Sequence, residues 1–482
     1  MKTLSNNKLK MAFLIYIISF LEWFTTLSIE IIAIRNFTPI VWTNSISTSI
    51  ILWVILLALS YWYYIWWKNS KNKDISYIKN KIVFNLAIAS AYYFFFTFVI
   101  DIYILELLIE KTWSYFWSIL ISSFFLFFIP VFLASQTIPL LSELLKWDNT
   151  WEKIWKLLFF STIGSFLWSV ATSTILFSYI WVEKSASINS IILSFIAIIL
   201  SLINFKKINF SIILAMIVLS FSCTFVFAKE VLKSNILFKE ANSYHNIIVF
   251  NDENNRRILL QNMWYASGID LNTNESFFKY IIEIKKNLIK EKYENIAIIW
   301  AAWFTLPNEL SKENFVKNID VVDVDSSLKE IAENYFLKKD LSEKINFIVT
   351  PSRFFITDSL KQNKKYDAIV IDVYVWNSLS AQNLTLEFFE WLRKLSDNIY
   401  INMITDNKLD SDFSIKLQNT MEKAFSEVYY KDVNQYSAET IKTNFVMTNK
   451  KIDWYKKYIK ENDLWIYTDD KNSIEIDLFK NK

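Results

Sequence analysis

The strongest constraint on this chain is where its apolar residues fall. Long apolar runs lie near 11–34, 47–67, 82–104, 114–140, 157–182, 188–204 and 210–228, and from Lys229 onward Lys, Glu, Asp and Asn dominate. Most of these runs reach the roughly 20 residues that carry an α-helix across a bilayer. The first is too long and too interrupted for a signal peptide, and further runs follow it. Residues 1–230 therefore read as a helical transmembrane domain of about seven spans, multi-pass in the cell membrane with the lipid bilayer as its partner. Everything beyond must fold by a different logic.

Loop charge sets an orientation. Lys2, Lys8 and Lys10 precede the first span, and Lys68, Lys71, Lys73, Lys79 and Lys81 follow the second. Lys146, Lys153 and Lys156 follow the fourth, and Lys206 and Lys207 the sixth. This alternation places the N-terminus inside. Seven spans would then leave the polar half outside, where a nucleotide-like cofactor is scarce. We read that half as cytoplasmic, with the span count off by one or one segment re-entrant. Glu22, Glu30, Arg35, Asp101 and Glu106 lie within or beside the spans. Charges at bilayer depth often mark function, although Glu30 and Arg35 can also pair along one helical face.

Composition excludes several classes. A formal charge of +3 points away from an electrostatic nucleic-acid binder. One cysteine, Cys223, and one histidine, His245, leave neither an internal disulfide nor a Cys/His metal centre to expect. The chain has 2 Gly and 20 Trp, whereas glycine is ordinarily about 7% of a protein. Tryptophan stands where glycine would be natural, as in Trp300-Ala-Ala-Trp303 after an apolar strand. Some bacterial lineages read UGA as glycine, and these tryptophans read as UGA-encoded glycines translated with the wrong table. Interfacial aromatic belts are the competing account; they explain Trp near helix ends but not the missing glycine of the polar half.

That half predicts an α/β domain. Ile247–Phe250, a polar turn at 251–255 and Arg257–Leu260 read as a β-hairpin, and a helix follows over about 275–290. Then strands at 295–299, 319–324, 345–349, 366–372 and 398–404 alternate with helices near 306–312, 327–336, 353–361 and 385–395. Such alternation makes a parallel, doubly wound sheet that binds ligands beyond the carboxyl ends of its strands. Segments 427–433 and 443–448 read as a terminal antiparallel pair. The resulting domains are 231–290 (hairpin and lead-in helix), 291–450 (Rossmann-like) and 451–482 (a polar C-terminal tail).

Two motifs carry chemistry. The first strand runs into Trp300-Ala301-Ala302-Trp303-Phe-Thr-Leu-Pro307. With glycine at 300 and 303, its backbone N–H groups could approach a ligand at a helix N-terminus. The second strand ends Val321-Val-Asp323-Val-Asp325, an acid about twenty residues on that can accept from ribose hydroxyls.

With these motifs, the chain resembles the membrane-fused spermidine synthase-like proteins, in which a helical membrane region is joined to an aminopropyltransferase-type Rossmann domain. The resemblance also touches Phe20-Leu-Glu-Trp23-Phe…Glu30…Arg35, Leu57–Lys68, Ser161-Thr-Ile-Gly164-Ser-Phe-Leu-Trp168, Tyr366-Asp-Ala-Ile-Val-Ile-Asp372 and Leu384-Thr-Leu-Glu-Phe-Phe389. It implies decarboxylated S-adenosylmethionine as cofactor, with no metal, and a small amine such as putrescine as acceptor. Asp323 would hold the ribose, with Asp325 and Ser352 beside the cofactor, and residues 300–304 would pass its amino-acid-derived part. Asp372 would orient and deprotonate the amine, since a carboxylate both attracts an ammonium and accepts its proton. The chain also departs from the family. Val349-Thr-Pro351-Ser352-Arg353 replaces the usual Gly-Asp-Gly/Ala, which puts proline where the acid for the adenine amino group is expected. Asp372 is followed by Val-Tyr-Val375-Trp-Asn-Ser without a second Asp, and the Tyr-His-Glu amine-binding motif is missing near Phe277–Ile282. Two other readings stay open: an S-adenosylmethionine-dependent methyltransferase, and a membrane transporter or sensor that binds a nucleoside-like ligand without turnover. The acceptor and the oligomeric state stay open as well.

Overall fold

The computed structural model describes residues 2–41, 45–69, 74–99, 108, 115–145, 150–172, 175, 182–204, 235–242, 244, 246–261, 264–300, 304–372, 374–375, 378–379, 381–433, 442–460, 465–474 and 476–477. The chain divides into two compact units, 1–233 with 241–243, and 234–240 with 244–482.

The first unit is helical: α1 (Lys2–Val41), α2 (Ser45–Asn69), α3 (Ile75–Val99), α4 (Tyr115–Ser123), α5 (Ile129–Ser135), α6 (Thr137–Leu144), α7 (Thr150–Ala171) and α8 (Val182–Asn204). One wide turn, Phe124–Phe128, joins α4 to α5. Among the described residues, Ala12–Arg35, Phe116–Leu144 and Ile154–Ala171 are long and apolar enough to cross a membrane, and Ile46–Trp62 and Ile188–Ser201 are shorter apolar helices. The run at 210–228, Asp101, Glu106, Cys223 and His245 lie outside the described residues. Backbones approach closely where α7 meets α1. A Cβ on Gly164 would sit 2.3 Å from the Phe20 carbonyl oxygen, so the contact requires glycine. One turn further, Trp168 is buried against Phe24 with ring centroids only 3.8 Å apart, and its indole N–H has no partner among the described residues.

The second unit holds two main sheets. The hairpin expected over 247–260 forms part of a five-stranded sheet in sequential order, β1 (Ile236–Ala241), β2 (Asn246–Asn251), β3 (Arg256–Gln261), β4 (Trp264–Asp270) and β5 (Glu275–Ser276). Its β2–β3 turn closes because Asp252 Oδ1 accepts from the N–H of both Asn254 and Arg256, while Asn255 takes φ 57°. Helix α9 (Lys279–Glu291) follows, and Lys292 in the left-handed region ends it.

The alternation predicted for 291–450 is then realised. It runs β6 (Asn295–Ile299), α10 (Thr305–Leu310), β7 (Asn318–Asp323), α11 (Leu328–Ile331), β8 (Ile345–Val349), α12 (Ser352–Lys361), β9 (Ala368–Ile371), β10 (Tyr374–Val375) and β11 (Ser378–Leu379). After these come α13 (Leu386–Leu395), β12 (Ile399–Asp406), α14 (Asp412–Phe425), β13 (Tyr429–Asp432), β14 (Lys442–Thr448) and β15 (Lys456–Lys457). The eight-stranded sheet is ordered β15-β13-β14-β12-β9-β6-β7-β8. Strands β12, β9, β6, β7 and β8 run parallel, and β14, β13 and β15 add antiparallel pairings. The sheet is therefore mixed, and the expected terminal pair is β13–β14.

Side chains alternate along the buried strands, so each face of the sheet carries its own core. Ile296, Ile298, Val370, Tyr400 and Val446 line the face shared with α9. Ile299, Ile371, Ile401, Met403 and Phe445 line the face shared with α13 and α14. The C-terminal segment 451–482 was expected to be a polar tail: its run 469–472 is exposed, but residues on either side of that run pack inward. Tyr467, Ile474 and Asp477 are buried, and Lys416 makes a buried ion pair with Asp477 at 2.8 Å. Composition hides this because the few apolar residues that anchor the segment are spaced among charged ones.

Candidate active site

Strand order reverses between β6 and β9, which start connections toward opposite sides. That is where an open α/β sheet leaves a crevice beyond its strand ends. Register brings the candidate residues there together. Ile299 pairs with Ile371 on one side and with Val322 on the other, so Trp300, Asp323 and Asp372 end three adjacent strands.

Asp372 is the best defined of them. Its backbone N–H donates to the Ile299 carbonyl at 3.1 Å, which holds it against β6. Its carboxylate is buried and accepts two hydrogen bonds: from the Tyr280 hydroxyl to Oδ2 at 2.9 Å, and from Asn402 Nδ2 to Oδ1 at 2.8 Å. Burial pushes the carboxyl up from 3.8 to about 6, against the smaller lowering by the Asn402 and Tyr280 donors. Both donors are neutral, so neither offsets the cost of a buried charge as a cation would. A carboxylate has about four lone-pair sites, which leaves room for a further donor. Asp372 thus has the chemistry of a general base working near neutrality.

The two acids after β7 separate in role. Asp325 is buried, and its Oδ1 accepts from the Ser327 N–H at 3.0 Å and the Ser327 hydroxyl at 2.7 Å, a turn closure ahead of α11. Asp323 is partly exposed at the strand end, and its Oδ1 accepts from the Asp325 N–H at 3.1 Å. Of the Trp300–Trp303 loop, Ala301, Ala302 and Trp303 lie outside the described residues. Trp300 donates its N–H to the Val322 carbonyl and takes φ 69°. That left-handed conformation suits glycine and is strained for a residue with a bulky Cβ substituent.

The third strand end is organised around α12. Pro351 stands just before it, in the place where an acid was expected, and offers neither a carboxylate nor an N–H. Ser352 Oγ donates to Asn383 Oδ1 at 2.9 Å. Arg353 donates to the Gln382 carbonyl, to Thr385 Oγ1 at 2.8 Å, and to Asp469 in an ion pair at 2.6 Å. Segment 381–385 is thereby clasped to the start of α12. Val375, where a second acid was missing, lies in the short antiparallel pair of β10 and β11.

Two contributors were not found from sequence. Tyr280 falls inside the stretch where the Tyr-His-Glu motif was judged missing. Its hydroxyl nevertheless reaches Asp372, while Ile281 and Ile282 follow in place of His and Glu. Asn402 interrupts an otherwise apolar strand, and a buried polar residue in such a strand was the available signal. Among the described residues, no group of three His, Cys, Asp or Glu side chains is placed to hold a metal.

No protein-family model matches the chain. The chain is 23% identical over 228 residues to the polyamine aminopropyltransferase of Vibrio vulnificus (strain CMCP6), an alignment covering 45% of this chain and 75% of the relative. Among solved structures it is similar to a probable spermidine synthase from Corynebacterium glutamicum ATCC 13032, at 13% identity over 47% of this chain and 94% of that one, with a TM-score of 0.40. It is also similar to spermidine synthase from Thermotoga maritima, at 12% identity over 51% and 84%, with a TM-score of 0.38. By sequence, the chain is thus similar over 45% of its length to a polyamine aminopropyltransferase.

Proposed function

We propose that this is a membrane-anchored transferase that moves an aminopropyl group from decarboxylated S-adenosylmethionine to a small amine such as putrescine, with Asp372 as the base. The observation that carries the reading is a buried carboxylate at the switch point, raised to about 6 and held, among the described residues, by neutral donors. Such a group attracts an ammonium out of water and takes its proton near neutral pH. When bound, the donor supplies a sulfonium-activated carbon, to which the amine nitrogen bonds as the carbon–sulfur bond breaks. Asp323, partly exposed at the end of β7, is the acid for ribose hydroxyls, and Asp325 acts behind it by shaping the turn. Ser352 and the clasped 381–385 segment border the same crevice. The α/β unit is assigned to the cytoplasm, where such a donor is made, and the three long apolar helices support the anchoring.

An open donor loop belongs to this reading. We take Trp300, Trp303 and Trp168 as UGA-encoded glycines. Support comes from φ 69° at Trp300 and from the crowded, unpartnered indole of Trp168 one turn from Gly164. The mass of tryptic peptide 293–312 from native-host protein tests this: glycine at 300 and 303 is expected. Tryptophan at both positions would overturn the open loop and favour ligand binding without turnover, the reading to which Pro351 already lends weight. For the chemistry, Asp372→Asn in the full chain should keep nucleoside binding while turnover falls about 10²–10⁴-fold. Unchanged turnover removes Asp372 from the mechanism.

A further inference from the structure

Asp372 does not hold its geometry alone. Asn402 lies on β12, the parallel neighbour of β9, and Asn444 on β14, the antiparallel neighbour of β12. Asn402 is opposite Val446 and Asn444 is opposite Ile404, so the two asparagines sit diagonally on the same face. That face carries Val370, Tyr400 and Val446 and packs against α9. Asn444 Nδ2 donates to Asn402 Oδ1 at 2.9 Å, and Asn402 Nδ2 donates to Asp372 Oδ1 at 2.8 Å. All three side chains are buried, at 2% exposure for each asparagine and 6% for Asp372.

A row of two amides ending on a carboxylate has a direction. An asparagine side chain offers an acceptor at one end and donors at the other, and it can turn over. Turned over, Asn402 would aim its carbonyl oxygen at a buried carboxylate, and two acceptors facing each other repel. Asn444 opposes this, because in its observed orientation it donates to the Asn402 oxygen on the far side, and only a turn of both amides together would keep that bond. Among the described residues, the buried Asn444 Oδ1 has no partner, a cost of aiming its amide this way.

We propose that Asn402 and Asn444 are positioning residues for the transfer reaction: Asn444 locks the Asn402 amide so that it always donates to Asp372, leaving the carboxylate poised and correctly turned toward the incoming amine. The proposal rests on the role of Asp372 given above. Tyr280, from α9, is the other side chain hydrogen-bonded to this carboxylate, and among the described residues no ion pair involves Asp372. Its titration therefore reports on these neutral donors and on burial.

The test is an infrared titration of the Asp372 carboxyl band in the full chain, with the Asp372→Asn spectrum subtracted, beside the pH profile of kcat. Asn402→Leu removes the direct donor and should raise the titration midpoint by at least about one pH unit, with the acid limb of kcat moving in step. Asn444→Leu never touches the carboxylate, so a smaller shift in the same direction is the signature of the relay. A general loss of packing would lower stability without moving the midpoint. An unmoved midpoint in Asn402→Leu, or in a folded Asn444→Leu, overturns the proposal. If the midpoints move as expected but no amine is turned over by the parent protein, the catalytic reading fails while the positioning network stands.

Discussion

The two units bury polar groups in different proportions of local and distant bonds. In the helical unit, hydroxyls mostly bond within their own helix. Thr25 donates to the Glu22 carbonyl, Ser28 to Thr25, Ser135 to Phe132, Ser142 to Pro139 and Ser161 to Leu158. Contacts between helices are fewer, such as Asn85 with Gln136 at 2.6 Å and Ser90 with Ser190 and Ser194. In the α/β unit, buried polar groups join residues far apart in sequence: Tyr280 to Asp372, Asn402 to Asp372, Lys416 to Asp477 and Tyr366 to Asp320. A helix suited to hydrocarbon must satisfy its polar groups locally, because no water is there to do so. A water-facing α/β fold can spend polar groups on distant partners, and there they build a site.

This contrast can be broken or sharpened by substitution. The largest stability loss should come from Lys416→Met, which leaves Asp477 buried with, among the described residues, Tyr467 and Ser473 as side-chain donors. Removing one partner of a buried pair costs about 3–5 kcal/mol, measurable by hydrogen exchange of α14 in the full chain. A loss under 1 kcal/mol would place this pair with the locally satisfied groups.

Next is the pH dependence of the site. The folded Asp372 carboxyl titrates at about 6, above its ordinary 3.8. The native state therefore binds the proton more tightly than the unfolded chain. Its contribution is fully present below 3.8 and is lost as pH rises through about 6. Replacing Asp372 by Asn should raise the stability of β9 and β12 by about 3 kcal/mol at pH 8 and have little effect near pH 4. A gain independent of pH would mean that packing, not charge burial, sets the difference.

A smaller gain is expected from Trp300→Gly. Relieving the left-handed conformation is worth about 1–2 kcal/mol, read as greater protection of β6 and β9 amides. Destabilisation would show that the indole earns its place against the neighbouring core. Smallest of all, Ser161→Ala should change the unfolding of the helical unit by less than about 0.5 kcal/mol, because among the described residues its hydroxyl serves its own helix. A larger loss would reveal an interhelical role and erase the contrast.

Much was legible in the sequence. Apolar run length marked out the helical half, and the alternation of short apolar strands with amphipathic helices gave the order from β6 to β12. Asp323 and Asp372 stood out because each is an acid at the end of a buried strand, a local pattern, and the sheet register sets both at adjacent strand ends. Local pattern does not carry strand order or side-chain partners. It did not show that the Asp325 carboxylate accepts from the Ser327 N–H and hydroxyl. It passed over Tyr280, Asn402 and Asn444, which lie 92, 30 and 72 residues from Asp372 along the chain and act only because three strands and α9 converge. It showed Asp469 as solvated, as it is, but not that Arg353 and Thr385 hold it.

The sequence by itself determined which stretches are buried and which element each becomes, because apolar periodicity acts over a few residues. Only the tertiary structure decided what surrounds the Asp372 carboxylate. Its protonation depends on desolvation and on donors brought in by β12 and α9, and these come together only when the chain is folded.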